Sequence, residues 1–174
     1  MLFRSHYDSY FKIPTSRSDV TWTSADPELL SIPFKNPGRD DVKIWLSTNI
    51  EDEWKWEGWQ LRLAFQDQGD NNMTHVVFQA GATPHVNAIA GSEITMDANR
   101  SINEYTARWT IRHEYGHVLG FPDCYLEFYD AASATMISYQ LDITNLMCSR
   151  RGHLQQSHYD ELKRVYYRAA TLSD

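Results

Sequence analysis

Between residues 113 and 123 the chain reads His-Glu-Tyr-Gly-His-Val-Leu-Gly-Phe-Pro-Asp, a spacing of ionisable groups suited to holding a metal ion beside a base. Side chains four residues apart on a helix share a face, with Cβ atoms about 5 to 6 Å apart, so the imidazoles of His113 and His117 can reach one ion. Gly120 can take a positive φ, end the helix and swing the chain back, and Pro122 keeps the helix from resuming. Asp123 is thereby returned towards the ion. Two nitrogens and one carboxylate oxygen suit zinc and leave its fourth tetrahedral position open to water, the pattern of a catalytic site rather than a closed structural one. Glu114 follows the first ligand and reaches that water without binding the metal, as a general base must. The spacing therefore predicts His113, His117 and Asp123 as ligands of Zn2+, with Glu114 as base.

Asp130 and Asp142, further downstream, are the alternative third ligands. His6, His75, His85, His153 and His158 lack ligand spacing and read as surface or core residues, with His85 lining the cleft if its strand forms the substrate edge.

Positioning these groups falls first to a helix from about 102 to 119, opened by a Ser101–Glu104 capping box and interrupted only by Gly116. Ahead of it, THVVFQAG (74–81), PHVNAIAG (84–91) and SEITMDA (92–98) read as three short strands of one sheet. Val42 to Leu46 follows the turn signal NPGRDD and reads as a strand. Residues 50–67 are ambiguous, combining a charged run around Trp54 with alternation at Trp59, Leu61, Leu63 and Phe65; the reading leans to a helix and leaves a strand after it open. Residues 1–40 lack a sustained period and read as extended chain wrapped on the core. Residues 121–152 read as irregular, and Leu162, Val165 and Tyr166 mark a last helix from about Gln155 to Ala170. The expected fold is a single α/β (α+β) domain over 1–174. Residues 1–40 form an extended, pro-like N-terminal segment, 41–120 a twisted mixed sheet with the active-site helix, and 121–174 a small irregular C-terminal subdomain ending in a helix.

A chain of 174 residues is large enough for one core and too small for two ordinary domains. Its net charge of -7 opposes nucleic acid and anionic lipid, and no apolar run approaches bilayer length, so neither nucleic acid nor membrane is an expected partner. The N-terminal MLFRSHYDSY lacks the apolar core of a signal peptide, which reads as an intracellular or already processed chain. Two cysteines are too few for a disulfide scaffold and lack the spacing of a zinc ribbon.

Residues His113 to Tyr125, HEYGHVLGFPDCY, resemble the extended signature of the metzincins, H-E-x-x-H-x-x-G-x-x-H, in the branch with Asp as last ligand, the snapalysin family. The similarity continues loosely through Asn145-Leu146-Met147 and the final helix and does not reach the first 70 residues. It implies a secreted, monomeric zinc endopeptidase acting on a peptide or protein, with Glu114 as base and Tyr125 as a hydrogen-bond donor to the developing oxyanion. It also implies a methionine turn beneath the metal, with Met147 as candidate and Met136 as alternative, and a specificity pocket between the motif helix and the residues after Met147. A peptide added as a strand to a sheet edge would lie along Pro84 to Ala90. In such a fold a Cys124–Cys148 disulfide would tie two segments near the metal, the alternative being two buried thiols. Two other functions stay open: a zinc-containing binding or inhibitory protein, and a latent enzyme with residues 1–40 across the cleft and Asp8, Asp19 or Asp26 capping the zinc.

Overall fold

The computed structural model describes residues 9–69 and 72–168. Strand β1 (Trp22–Thr23) is followed by β2 (Leu29–Lys35) and helix α1 (Asp40–Leu46), which runs on through a π-helical turn at Ser47–Glu51. Strands β3 (Lys55–Trp56), β4 (Trp59–Gln66), β5 (His75–Gln79), β6 (His85–Val86) and β7 (Glu93–Asp97) lead into α2 (Tyr105–Val118). A hairpin, β8 (Tyr125–Asp130) and β9 (Thr135–Gln140), precedes α3 (Gln156–Tyr166) and β10 (Tyr167–Arg168).

Two three-stranded ladders, β2-β4-β3 and β5-β7-β6, mix parallel and antiparallel pairs. A parallel bridge between Phe34 and Thr74, with Lys35 N–H donating to Thr74 O at 2.7 Å, joins them in the order β3-β4-β2-β5-β7-β6. The expected mixed sheet is present, and all three strands read between residues 74 and 98 belong to it. Its terminal strand, β6, pairs antiparallel with β7.

Alternation drives the packing: Leu30, Ile32 and Phe34 of β2 and Trp59, Leu61 and Leu63 of β4 point into one core with Ile94 and Met96 of β7. The sheet thus begins before residue 41. Pro33 is accommodated because β2 pairs along its length with β4 and meets β5 only at the bridge. Residues 42–46 form a helix rather than a strand. Val42, Trp45, Leu46, Asn49 and Ile50 are buried at helical spacing, and Asp40 and Asp41 complement the first turn. Their β-favouring side chains mislead because burial against the sheet outweighs propensity. The helical reading of 50–67 holds only for the end of this helix, since Trp59–Gln66 is a strand whose alternation was the better signal.

Residues 121–152 are not irregular throughout. The β8–β9 hairpin is fully registered from Tyr125↔Gln140 to Asp130↔Thr135. Its turn lacks the usual Gly or Asn-Gly signal, because Asp130 accepts from Ala132 N–H and the Ser133 hydroxyl and Ala134 takes φ 52°. The last helix ends at Tyr166, where the chain turns extended and pairs β10 with β1, so Trp22 is packed by Trp59, Tyr159 and Tyr167. Ala169 and Ala170 lie outside the described residues. Among the described residues no helix is long and apolar enough to cross a membrane.

Candidate metal centre

The approach to α2 differs in detail from a capping box. Ser101 N–H donates to Glu104 Oε1 at 3.4 Å, one half of the box, but Ser101 Oγ accepts from Asn103 N–H rather than Glu104 N–H, which bonds Ser101 O in a turn that leads into the helix. The far end follows the expected design. Gly120 at φ 98° donates to His117 O, and Phe121 N–H donates to Gly116 O, the paired bonds of a Schellman turn. That turn aims the Phe121 carbonyl back at the helix, where it accepts from His117 Nδ1 at 2.8 Å. His113 Nδ1 is held at the same distance by Leu146 O. With Nδ1–H spent on a carbonyl, each neutral imidazole presents an Nε2 lone pair.

Both Nε2 atoms converge on Asp123, whose Oδ1 lies 3.0 Å from His113 Nε2 and 3.3 Å from His117 Nε2. This Oδ1 is buried and accepts no well-formed hydrogen bond. Three lone-pair atoms therefore face one another, an arrangement that repels unless a cation or a proton lies among them. Two imidazole nitrogens and a carboxylate oxygen, all within 4.8 Å of one another, fit zinc in donor type and lie close enough to share one ion. His113, His117 and Asp123 are also the group of potential ligands that comes together among the described residues. Asp130 is engaged in the hairpin turn and Asp142 by Thr144 and Gln155, and neither joins them.

A tether runs beneath the histidines. Met147 is buried under α2 at Gly116, where a Cβ would fall on its Sδ, whereas Met136 is exposed on the hairpin. Asn145 Oδ1 takes Met147 N–H at 2.8 Å, and His158 Nε2 at 3.1 Å. Because His158 Nδ1 already accepts from Gln155 N–H, its Nε2 carries the hydrogen and the ring is neutral. Burial lowers its pKa to about 4. Cys124 and Cys148 are joined in a disulfide, and Cys124 N–H donates to Met147 O, fastening the Asp123 segment to this turn. Asn145 and His158 carry no spacing signal, since only the tertiary fold brings them together.

Electrostatics follow from enclosure. Burial raises the Glu114 carboxyl above its ordinary range, although the neighbouring histidines pull it down. Burial opposes charge on Asp123 too, but contact with the two imidazoles holds its carboxyl far below the usual range. Burial likewise works against a charged His117, and the Asp123 carboxylate more than offsets it, so its pKa rises. Burial, then the Asp123 charge, pushes the Tyr125 phenol up to about 12.

The cluster opens into a cleft of about 470 Å³ lined by Glu114, Tyr125, Glu127 and Arg150 on one side and by Pro84 to Val86 on the other. His85 lines this cleft. Among the described residues none of 9–40 does; Ile13, Val20 and Trp22 are buried in the core, and Asp19 pairs with Arg17. His75 contacts Glu93 and His153 contacts Glu53, away from the cluster. His6 and Asp8 lie outside the described residues.

No family model and no curated protein matches the chain. Among solved structures it is similar to high choriolytic enzyme 1, a hatching enzyme zinc-protease from the medaka fish Oryzias latipes, with a TM-score of 0.51 and 14% identity over 86% of this chain and 96% of that one. The likeness is one of fold. A mixed sheet, a helix bearing both histidines and a return turn to Asp123 thus sit on an α+β architecture similar to that of this hatching enzyme.

Proposed function

We propose that the protein is a zinc-dependent endopeptidase, with His113, His117 and Asp123 as ligands, Glu114 as general base and Tyr125 as a donor to the oxyanion. The observation that carries this reading is the convergence of two oriented Nε2 atoms and the unpaired Asp123 Oδ1 in a cleft that also holds Glu114. Zinc, when bound, supplies Lewis-acid chemistry, acidifying water towards neutrality and polarising a carbonyl.

The remaining work falls to the chain. Glu114, buried and raised in pKa, takes a proton from the attacking water and returns it to the leaving amine. Tyr125 stays protonated at neutral pH and so remains a donor as negative charge grows on the scissile oxygen. Its ring centroid lies 6.3 Å from that of His113. Substrate is held as an added strand along β6, whose free edge faces the cleft. The Asp ligand favours the snapalysin branch of the metzincins, and the disulfide suits a secreted protein.

Digestion of an unstructured protein tests the reading. Internal cuts that stop with a chelator and return with zinc are expected. Zinc-loaded protein that leaves every such substrate intact would favour a binding or inhibitory role instead.

A further inference from the structure

A second cavity, of about 430 Å³, adjoins the cleft between β7 and α2. Thr83, Pro84 and Arg150 line both. The turns of α2 just before His113 contribute Thr106, Ala107 and Thr110 to its wall, and its floor is apolar, built from Phe78, Met96 and Ile102. A peptide laid along β6 with its scissile carbonyl at the cluster therefore places one neighbouring side chain over this cavity.

The charges around it are unequal. Asp97 is engaged, accepting from Gly81 N–H at 2.8 Å and Asn99 N–H at 2.9 Å, with Arg100 at 3.7 Å. Arg100 is further offset by Glu104 at 3.6 Å. Arg150, at the lip common to both cavities, makes neither a hydrogen bond nor an ion pair among the described residues, although its charge reaches Glu114 and Tyr125 across the cleft. The carboxylates lining the cleft beside it are Glu114, assigned to proton transfer, Asp123, assigned to the metal, and Glu127 on β8. An unpaired guanidinium beside the scissile position, in a chain of net charge -7, is a fork for a carboxylate that the substrate brings.

We propose that Arg150 is a specificity-determining residue, and that the second cavity takes a glutamate-like side chain next to the scissile bond, its methylenes on the apolar floor and its carboxylate on Arg150. The proposal rests on the peptidase reading.

The test compares peptides that differ only at one position flanking the cut, bearing Glu, Gln, Phe or Lys. Zinc-loaded wild type is expected to cleave the Glu peptide with kcat/KM at least about fivefold above its Gln isostere, as for a charge-assisted pair that is partly exposed. Arg150→Glu should invert the order so that Lys exceeds Gln, and Arg150→Lys should keep its direction. Affinities of the Glu114→Ala protein for the Glu and Gln peptides should differ in the same sense. If the Arg150 variants do not fold, the wild-type ratio must still fall as salt is raised from about 0.01 to 1 M. Cleavage without a Glu preference, one that Arg150→Glu leaves intact, or one insensitive to salt overturns the assignment of Arg150 alone. No cleavage of any peptide overturns the peptidase reading and this proposal with it.

Discussion

Replacing Gly116 with alanine sets two effects against each other. Within a helix Ala is favoured over Gly by about 1 kcal/mol. The added Cβ would fall on Met147 Sδ, with Met147 Cε at 2.9 Å and Trp54 Cζ2 at 3.3 Å. Met147 is 2% exposed and Trp54 fully buried, so neither side chain has open space to enter, and overpacking of this kind costs about 1 to 3 kcal/mol. Gly116→Ala is therefore expected to destabilise by about 1 kcal/mol. Met147→Ala alone removes a buried side chain and costs about 2 to 5 kcal/mol. In that background the clash with Met147 is gone and the space it leaves lets Trp54 give by the few tenths of an ångström its 3.3 Å contact requires, so Gly116→Ala should stabilise by about 1 kcal/mol through helix propensity. The coupling between the two changes is then about 2 kcal/mol. Urea unfolding of the four proteins in chelated buffer, followed by tryptophan fluorescence, measures it. A coupling below about 0.5 kcal/mol would refute the packing of Met147 beneath the histidine helix.

Three further outcomes are expected. His158 has a folded pKa of about 4 against an ordinary value near 6.5, so its stabilising contribution is complete above pH 6.5 and is lost as the pH falls towards 4. The loss amounts to about 3 kcal/mol, and the stability gap between wild type and His158→Gln should shrink accordingly from pH 7 to pH 4; a constant gap would contradict the buried neutral ring. Replacing both Cys124 and Cys148 with alanine opens a closure spanning 24 residues and should cost about 3 kcal/mol in urea unfolding, with weaker zinc binding because Asp123 loses its anchor. Asp123→Ala should reduce zinc affinity by more than about 100-fold while Asp130→Ala leaves it unchanged, as read by competition with a chromogenic chelator; the reverse order would move the third ligand into the hairpin.

The site was legible where local rules decide. Four-residue spacing, a glycine that takes φ 98° and a proline that forbids helix point to the convergence of both histidines and Asp123 that the structure has. What was not legible depends on distant contacts. Helix α1 carries Val42, Ile44 and Trp45, which favour strands in isolation, and only the buried stripe continuing to Ile50 identifies it. Alternation along Trp59–Gln66 was the true signal there, obscured by the charged residues before it. Asn145 and His158, which hold the Met147 turn, are thirteen residues apart with no periodic relation, and their pairing exists only after α3 has packed. Arg150 is one arginine among many until two cavities are seen to share it.

The central claim is tested most directly by zinc content and casein cleavage measured together on wild type and Glu114→Ala. One zinc per chain in both proteins, with internal cleavage by the wild type alone, is the predicted result. Full zinc occupancy with equal cleavage by both would contradict the assignment of Glu114, and failure of the wild type to take up zinc after reloading would contradict the metal centre itself.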